Sequence, residues 1–354
     1  MTDISRRALL AVAATTTAGA LAACGASAAG DSAATPGAAS GSSAGTAGAF
    51  PVTIDTQYGP VTVEKAPERV VVVGITEQDT LLALGVVPVA TTEWYGEHPG
   101  AVWPWAQDRL GSQVPEVLST ADGFQYEKIA ALRPDLIIGT NSRMTQEEFT
   151  KLSAFAPVIT GPTGSTGYFM PWDEQTLIIA KALGREADGT KLVDDVKASY
   201  AAAAAAHPEF AGKVATFSQN AFYDGVLYVY PPGLSTHFLT MLGFTINPEL
   251  TPLAPGPGSQ AELSAENLGV IDTDVLVVAA EKPEDIPALM AVPTYARLDV
   301  VTQKRTVYTD PVLAGAIYFD SPLSLPYVVE RLPQQLAAAV TGQAPAEIQD
   351  TSSS

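Results

Sequence analysis

The stretch Trp172 to Phe210 constrains this chain more than any other. It holds no proline before Pro208 and is rich in Ala, Leu, Lys, Asp and Glu. Leu192, Val196, Tyr200 and Ala203 recur at spacings of four, four and three, which places them on one helix face. Leu177, Ala180, Gly184 and Ala187 form a similar stripe one section earlier. Gly184 and Gly189 each cost about 1 kcal/mol in a helix interior, so a bend near 184–190 stays open. A continuous helix of roughly 35 residues, at about 1.5 Å each, makes a rod of roughly 50 Å. That is longer than one small domain, so the spacing predicts a rod running along two. An ordinary long helix inside one domain is the alternative.

The length of 354 residues suits two domains once a leader is removed, and 47% apolar content is enough for a buried core. The formal net charge is −19. Residues 1–23 contain Asp3, Arg6 and Arg7, a net +1, so the chain without them is near −20. An acidic body with no basic run repels phosphate backbones, which argues against nucleic-acid binding.

Residues 1–24 read as an export signal: Arg6 and Arg7, a short Ala-rich apolar run, then Leu21-Ala22-Ala23-Cys24. The run is too short for a membrane span. The last four residues resemble a bacterial lipobox, which implies cleavage after residue 23 and a lipid on Cys24, the one cysteine of the chain. Ser5-Arg6-Arg7 resembles a twin-arginine export signal; an ordinary secretory route stays open. Two or more acyl chains would anchor stably, where one is marginal. Residues 24–49, mostly Gly, Ala, Ser and Thr, follow as a lipidated start and flexible tether.

Beyond the tether, Pro51–Glu64 alternates around Tyr58-Gly59 as a hairpin would. The β-branched run Arg69 to Gly74 predicts a buried parallel strand, followed by a helix over 77–84 capped by Thr76. Strands are expected at 86–92, 135–139 and 157–160, with helices at 126–132 and 145–155. After the long helix the pattern recurs: strands at 213–222, 226–230, 274–280 and 306–309, and helices at 236–242, 264–270 and 321–340. Alternating strands and helices on both sides of the long helix predict an α/β fold with mainly parallel sheets in two lobes. The N-terminal lobe is expected over 50–171, the connecting helix over 172–210, the C-terminal lobe over 211–342 and a tail over 343–354. Two cassettes repeat across the lobes. Each runs glutamate, short amphipathic helix, aspartate, buried strand, with eight residues from Glu127 to Asp135 and eight from Glu266 to Asp274.

These pieces resemble the substrate-binding lipoproteins of bacterial iron-siderophore and cobalamin ABC importers. The resemblance rests on Arg69-Val-Val-Val-Val-Gly74, Leu81 to Val89, the cassette Glu127 to Ile138, Ala182-Leu-Gly184 and Ser264-Ala-Glu266, and covers roughly residues 60–342. It implies two lobes on one rigid helix, with ligand in the cleft. In open α/β sheets, ligands sit beyond the C-terminal strand ends. The loops there hold Trp94, Tyr95, Trp103, Trp105, Arg143, Tyr168, Phe222, Tyr223, Tyr318 and Phe319. Aromatic faces can stack on a flat or greasy chelate, and Arg143 can bond its anionic or carbonyl oxygens. The resemblance makes Glu127 and Glu266 docking residues for permease arginines; helix-start glutamates favoured by the macrodipole are the plainer reading.

The implied function is a lipid-anchored, extracytoplasmic receptor, expected as a monomer. It captures a ferric siderophore and delivers it to an ABC permease and its ATPase. No protein cofactor is expected, because the siderophore holds the iron. Cobalamin or haem is the alternative ligand. A bare-metal site is disfavoured, since His98, His207 and His237 are the only histidines. A lipid-anchored hydrolase is the rival from another class. It lacks a Gly-x-Ser-x-Gly elbow, and Ser235 near His237 does not make a triad.

Overall fold

The computed structural model describes residues 50–165 and 170–350, which belong to one compact unit. The signal segment, Cys24, the tether and Tyr168 lie outside the described residues.

The predicted hairpin forms first. Strands β1 (Val52–Thr56) and β2 (Gly59–Val63) pair antiparallel, joined by Gln57 and Tyr58. The Tyr58 hydroxyl donates to the Met144 carbonyl, which clips the hairpin to the first lobe.

The first lobe is built on five parallel strands: β3 (Val70–Val72), β4 (Ala90–Thr92), β5 (Glu116–Leu118), β6 (Leu136–Ile138) and β7 (Val158–Ile159), in the order β5-β4-β3-β6-β7. Helices α1 (Glu77–Ala83), α2 (Tyr126–Ala131) and α3 (Gln146–Leu152) connect them. Every residue of β3 and β6 is buried because both sheet faces are covered. Val70, Val72, Leu136 and Ile138 pack with Leu81 and Ile179 on one face; Val71, Ile137 and Val158 pack with Ile129 and Leu152 on the other. Thr145 and Glu148 form a capping box at the start of α3. Thr76 does not cap α1 with its side chain. Its hydroxyl instead accepts from Asn141 Nδ2 at 3.0 Å, and the Glu77 carboxylate takes the Thr76 N–H.

The expected 50 Å rod is two helices. α4 (Trp172–Ala182) and α5 (Glu186–Ala206) are separated by a turn in which Gly184 takes φ +65°. Left-handed glycine is a common helix stop, and here it reverses the chain. Asp173, at the start of α4, bonds Lys197 of α5 at 2.7 Å. Twenty-four residues apart on one straight helix, they would be separated by about 36 Å. Gly189 lies so close to Ala180 that an added methyl would fall 2.3 Å from the Ala180 Cβ. Small residues let the two helices touch, and the long connector reduces to α5, about 31 Å for its 21 residues.

The second lobe carries β8 (Val214–Ser218), β9 (Val226–Val229), β10 (Thr245–Ile246), β11 (Ala261–Ser264), β12 (Val275–Val278) and β13 (Thr306–Tyr308). The order is β11-β9-β8-β12-β13, with β10 also on β8. Pairs β8–β12, β12–β13 and β8–β10 are parallel, while β9 runs antiparallel to both its neighbours. Helices α6 (His237–Thr240), α7 (Asp285–Met290), α8 (Pro293–Ala296), α9 (Asp299–Thr302), α10 (Pro311–Phe319) and α11 (Ser324–Val340) surround it. Tyr318 and Phe319, expected on a strand-end loop, belong to α10. Asp310 caps it by accepting from the N–H groups of Val312 (2.9 Å) and Leu313 (3.0 Å), and Pro311 stands at its first position.

The duplicated cassettes have a structural purpose. Asp135 accepts from the Arg69 N–H at 2.8 Å, immediately before β3. Asp274 accepts from the Val214 N–H at 2.9 Å, at the start of β8. In each lobe the aspartate opening one strand fastens the start of the neighbouring parallel strand.

Candidate ligand-binding site

The loop after β4 carries most of the site's aromatics, and two of them face inward. Trp103 is 4% exposed and stacks on Trp105 at 5.1 Å. Its ring presses on α10 at Gly315, where an added Cβ would sit 2.4 Å away. Trp105 Nε1 donates to Asp79 Oδ2 at 2.8 Å, and Ser321 Oγ donates to the same oxygen at 2.5 Å. Ser321 also accepts from the Ser324 N–H at 2.9 Å, at the entry to α11. One carboxylate of the first lobe thus holds the tryptophan loop and the start of a second-lobe helix. Asp79 is fully buried, and loss of water pushes its carboxyl up from 3.8 to about 6 against the pull of both hydrogen bonds. Its Oδ1 has no hydrogen-bond partner among the described residues.

Beside it, buried Glu77 fixes the loop after β6. Its carboxylate accepts from the Asn141 N–H (2.7 Å) and from Thr140 Oγ1 (3.1 Å). Burial raises its affinity for a proton, and these bonds lower it. Asn141 is two residues before Arg143, which takes φ +52° and is exposed.

In front of this tryptophan pair is a cavity of about 250 Å³, walled by Trp94, Tyr95, Gln219, Tyr230, Glu281 and Tyr318. Both lobes contribute. Trp94 and Tyr95 follow β4, Gln219 follows β8, Tyr230 follows β9, Glu281 follows β12 and Tyr318 comes from α10. The ring of Tyr318 lies 6.1 Å from Tyr95 and 6.3 Å from both Trp94 and Tyr230. The buried Tyr95 hydroxyl has no hydrogen-bond partner among the described residues. The Tyr318 hydroxyl lies toward Glu281 without reaching normal hydrogen-bond geometry. Burial raises the Glu281 carboxyl, partly offset by a hydrogen bond from Asn220. Burial also pushes the phenols of Tyr95, Tyr230 and Tyr318 up, and the Glu281 charge adds to it, so all three stay protonated as donors. A larger groove, about 750 Å³, is lined by 162–165, 231–234 and 256–259. The smaller cavity has convergent polar groups from both lobes.

Of the residues marked in the sequence, Trp94, Tyr95 and Tyr318 line this cavity together. Trp103, Trp105 and Phe319 form the layer behind them, with Phe319 5.8 Å from Trp103 and 5.3 Å from Trp105. Phe222 packs on the second-lobe core, Tyr223 is 69% exposed, and neither lines the cavity. Glu127 and Glu266 are exposed, in the first turns of α2 and of the short helix Ala265–Ile271. Gln219, Tyr230 and Glu281 complete the wall without a sequence signal of their own, though Gln219 and Glu281 sit where the strand-end rule points. Among the described residues no group of three His, Cys, Asp or Glu side chains could hold a metal. His98 packs on Trp103, His207 meets Glu209 at 2.9 Å, and His237 meets Asp320 at 3.3 Å.

A family pattern described as periplasmic binding protein matches residues 70–313. The chain belongs to the periplasmic binding protein family. This periplasmic binding protein is 39% identical to a periplasmic solute binding protein of Mycobacterium smegmatis, with a TM-score of 0.76 over 82% of this chain and 99% of that one. It is 25% identical to Streptococcus pneumoniae PiaA in complex with ferrichrome, with a TM-score of 0.71 over 82% of this chain and 99% of that one. It is 26% identical to the Fe(3+)-citrate-binding protein YfmC of Bacillus subtilis, over 66% of this chain and 70% of that protein. The family is one of binding proteins rather than enzymes.

Proposed function

We propose that this periplasmic binding protein is the extracytoplasmic receptor of an ABC importer, capturing a ferric siderophore and delivering it to the membrane permease. The observation that carries the reading is the cavity where Trp94 and Tyr95 of one lobe face Tyr230 and Tyr318 of the other, at the C-terminal strand ends. A chelate surface that is partly apolar and partly oxygen-bearing suits rings that also donate through hydroxyls. In this reading Arg143, exposed on the loop after β6 and outside the cavity wall, reaches the chelate's oxygens from solvent. The lobes span 50–171 and 211–342 with α5 between them. The body works as a monomer, tethered by residues 25–49 to a lipid on Cys24. Glu127 and Glu266, one on each lobe, meet permease arginines and report lobe orientation. The buried Asp79–Ser321 contact and α5 favour a small closure on binding.

The test is tryptophan fluorescence of residues 50–354, titrated with ferric hydroxamates, ferric catecholates, ferric citrate, cobalamin and haem. Saturable quenching by a ferric chelate is expected, because Trp94 lines the cavity and Trp103 and Trp105 lie behind it. Saturation by cobalamin or haem alone would replace the ligand; no response at all would end the receptor reading.

A further inference from the structure

The cavity's charge is as informative as its shape. Its wall holds one acidic side chain, the half-buried Glu281, and no lysine or arginine. The other walls are the faces and hydroxyls of three tyrosines, one tryptophan ring and a glutamine amide. Aromatic faces carry negative potential, so a carboxylate among four aromatic rings makes a box that attracts cations. The wider setting agrees. On the segments beyond the strand ends, 73–76, 93–105, 139–145, 160–171, 219–225, 230–236, 279–285 and 309–321, the cations are Arg143 and Lys282, both exposed and neither lining the cavity. The same segments carry Glu93, Glu97, Asp224 and Glu281 among their carboxylates.

We propose, on the receptor reading above, that this cleft selects neutral or cationic ferric chelates over anionic ones, and that Glu281 is the residue that sets the preference. An anionic chelate would bring like charge against a carboxylate already short of water, with no cation in the wall to receive it. A neutral chelate meets hydroxyl donors, the unpartnered Tyr95 hydroxyl first, that suit carbonyl oxygens held by iron. A cationic chelate gains the carboxylate and the ring faces together. A single charge about 6 Å from Glu281, at an effective dielectric constant of about 20, changes affinity by about 100-fold.

The experiment is isothermal titration of residues 50–354 with three probes: ferrioxamine B, which carries a free ammonium; ferrichrome, which is neutral; and ferric citrate, which is anionic. The wild-type protein should bind ferrioxamine B or ferrichrome at least 10-fold more tightly than ferric citrate. Glu281→Gln should narrow the ratio of ferrioxamine B to ferric citrate affinity by at least 10-fold. Glu284→Gln, an exposed neighbour outside the cavity, should leave that ratio alone. The wild-type ranking tests the idea even if Glu281→Gln does not fold. Tightest binding of ferric citrate, or an unchanged ratio in Glu281→Gln, overturns the charge preference and leaves the receptor reading standing. Failure of all three probes together with a ferric catecholate overturns both.

Discussion

Asp79 gives the structure its sharpest quantitative consequence. Its carboxyl is fully buried and raised from 3.8 to about 6. The shift of about 2 units corresponds to about 3 kcal/mol. In the unfolded chain Asp79 loses its proton near pH 4, whereas the folded protein keeps it to about pH 6. Between those values the folded state binds the extra proton, so this group's contribution to stability falls as pH rises. Well above pH 6 both states are ionised and the loss is complete. Asp79→Asn stays neutral throughout and keeps an acceptor for Trp105 and Ser321. Its amide adds an unpartnered donor where Oδ1 now lies, but that offset does not depend on pH. The stability of Asp79→Asn minus that of wild type should therefore rise by about 3 kcal/mol from pH 4 to pH 7. Urea unfolding at half-unit pH steps measures it, and the subtraction cancels carboxylates common to both proteins, Glu77 included. Ser321→Ala removes a bond that favours the charged form, so its window against Asp79→Asn should extend to higher pH. A flat difference across pH 4–7, or one of opposite slope, would refute the reasoning.

The remaining expectations concern packing and docking. On an isolated exposed helix Gly189→Ala would stabilise by about 1 kcal/mol, but here the new methyl meets Ala180 at 2.3 Å. A lower melting temperature is expected, and a higher one would mean that α4 and α5 do not pack as described. Gly315→Ala should destabilise by about 1–3 kcal/mol and shift tryptophan emission, since its methyl enters the Trp103 ring space; unchanged stability and emission would contradict that contact. The double substitution Glu127→Ala with Glu266→Ala should leave chelate titration unaltered and abolish uptake in cells. Uptake at the wild-type rate would remove the docking role.

What was legible in the sequence was local. β-branched runs became buried strands, because a parallel strand covered on both faces needs apolar residues at every position. The paired Asp135 and Asp274 were visible as a repeated spacing, and the structure supplies the reason: each bonds the backbone of the adjacent strand. Helix ends were harder. Gly184 marks a possible bend, but the stripe on either side of it suits one rod or a hairpin equally well. The pairing of Asp173 with Lys197 and the close approach of Gly189 to Ala180 decide. Asp310-Pro311 was an available start signal for α10. The apolar run behind it has no polar face, as expected of a helix buried on all sides. The cavity was half legible. Searching strand-end loops for aromatics finds Trp94, Tyr95 and Tyr318, but also Trp103 and Trp105, which the same chemistry places behind the wall. Glu281 and Gln219 carry no pattern of their own. They become a site only when β8 and β12 pair side by side and bring their C-terminal ends opposite the β4 loop.

The most direct test of the receptor account is to crystallise residues 50–354 with the ferric chelate that quenches their fluorescence and to locate iron by anomalous scattering. The account expects one iron peak between the lobes, with the chelate against Trp94, Tyr95, Tyr230 and Tyr318. A peak elsewhere on the body, or a chelate-saturated protein with no iron between its lobes, would contradict it.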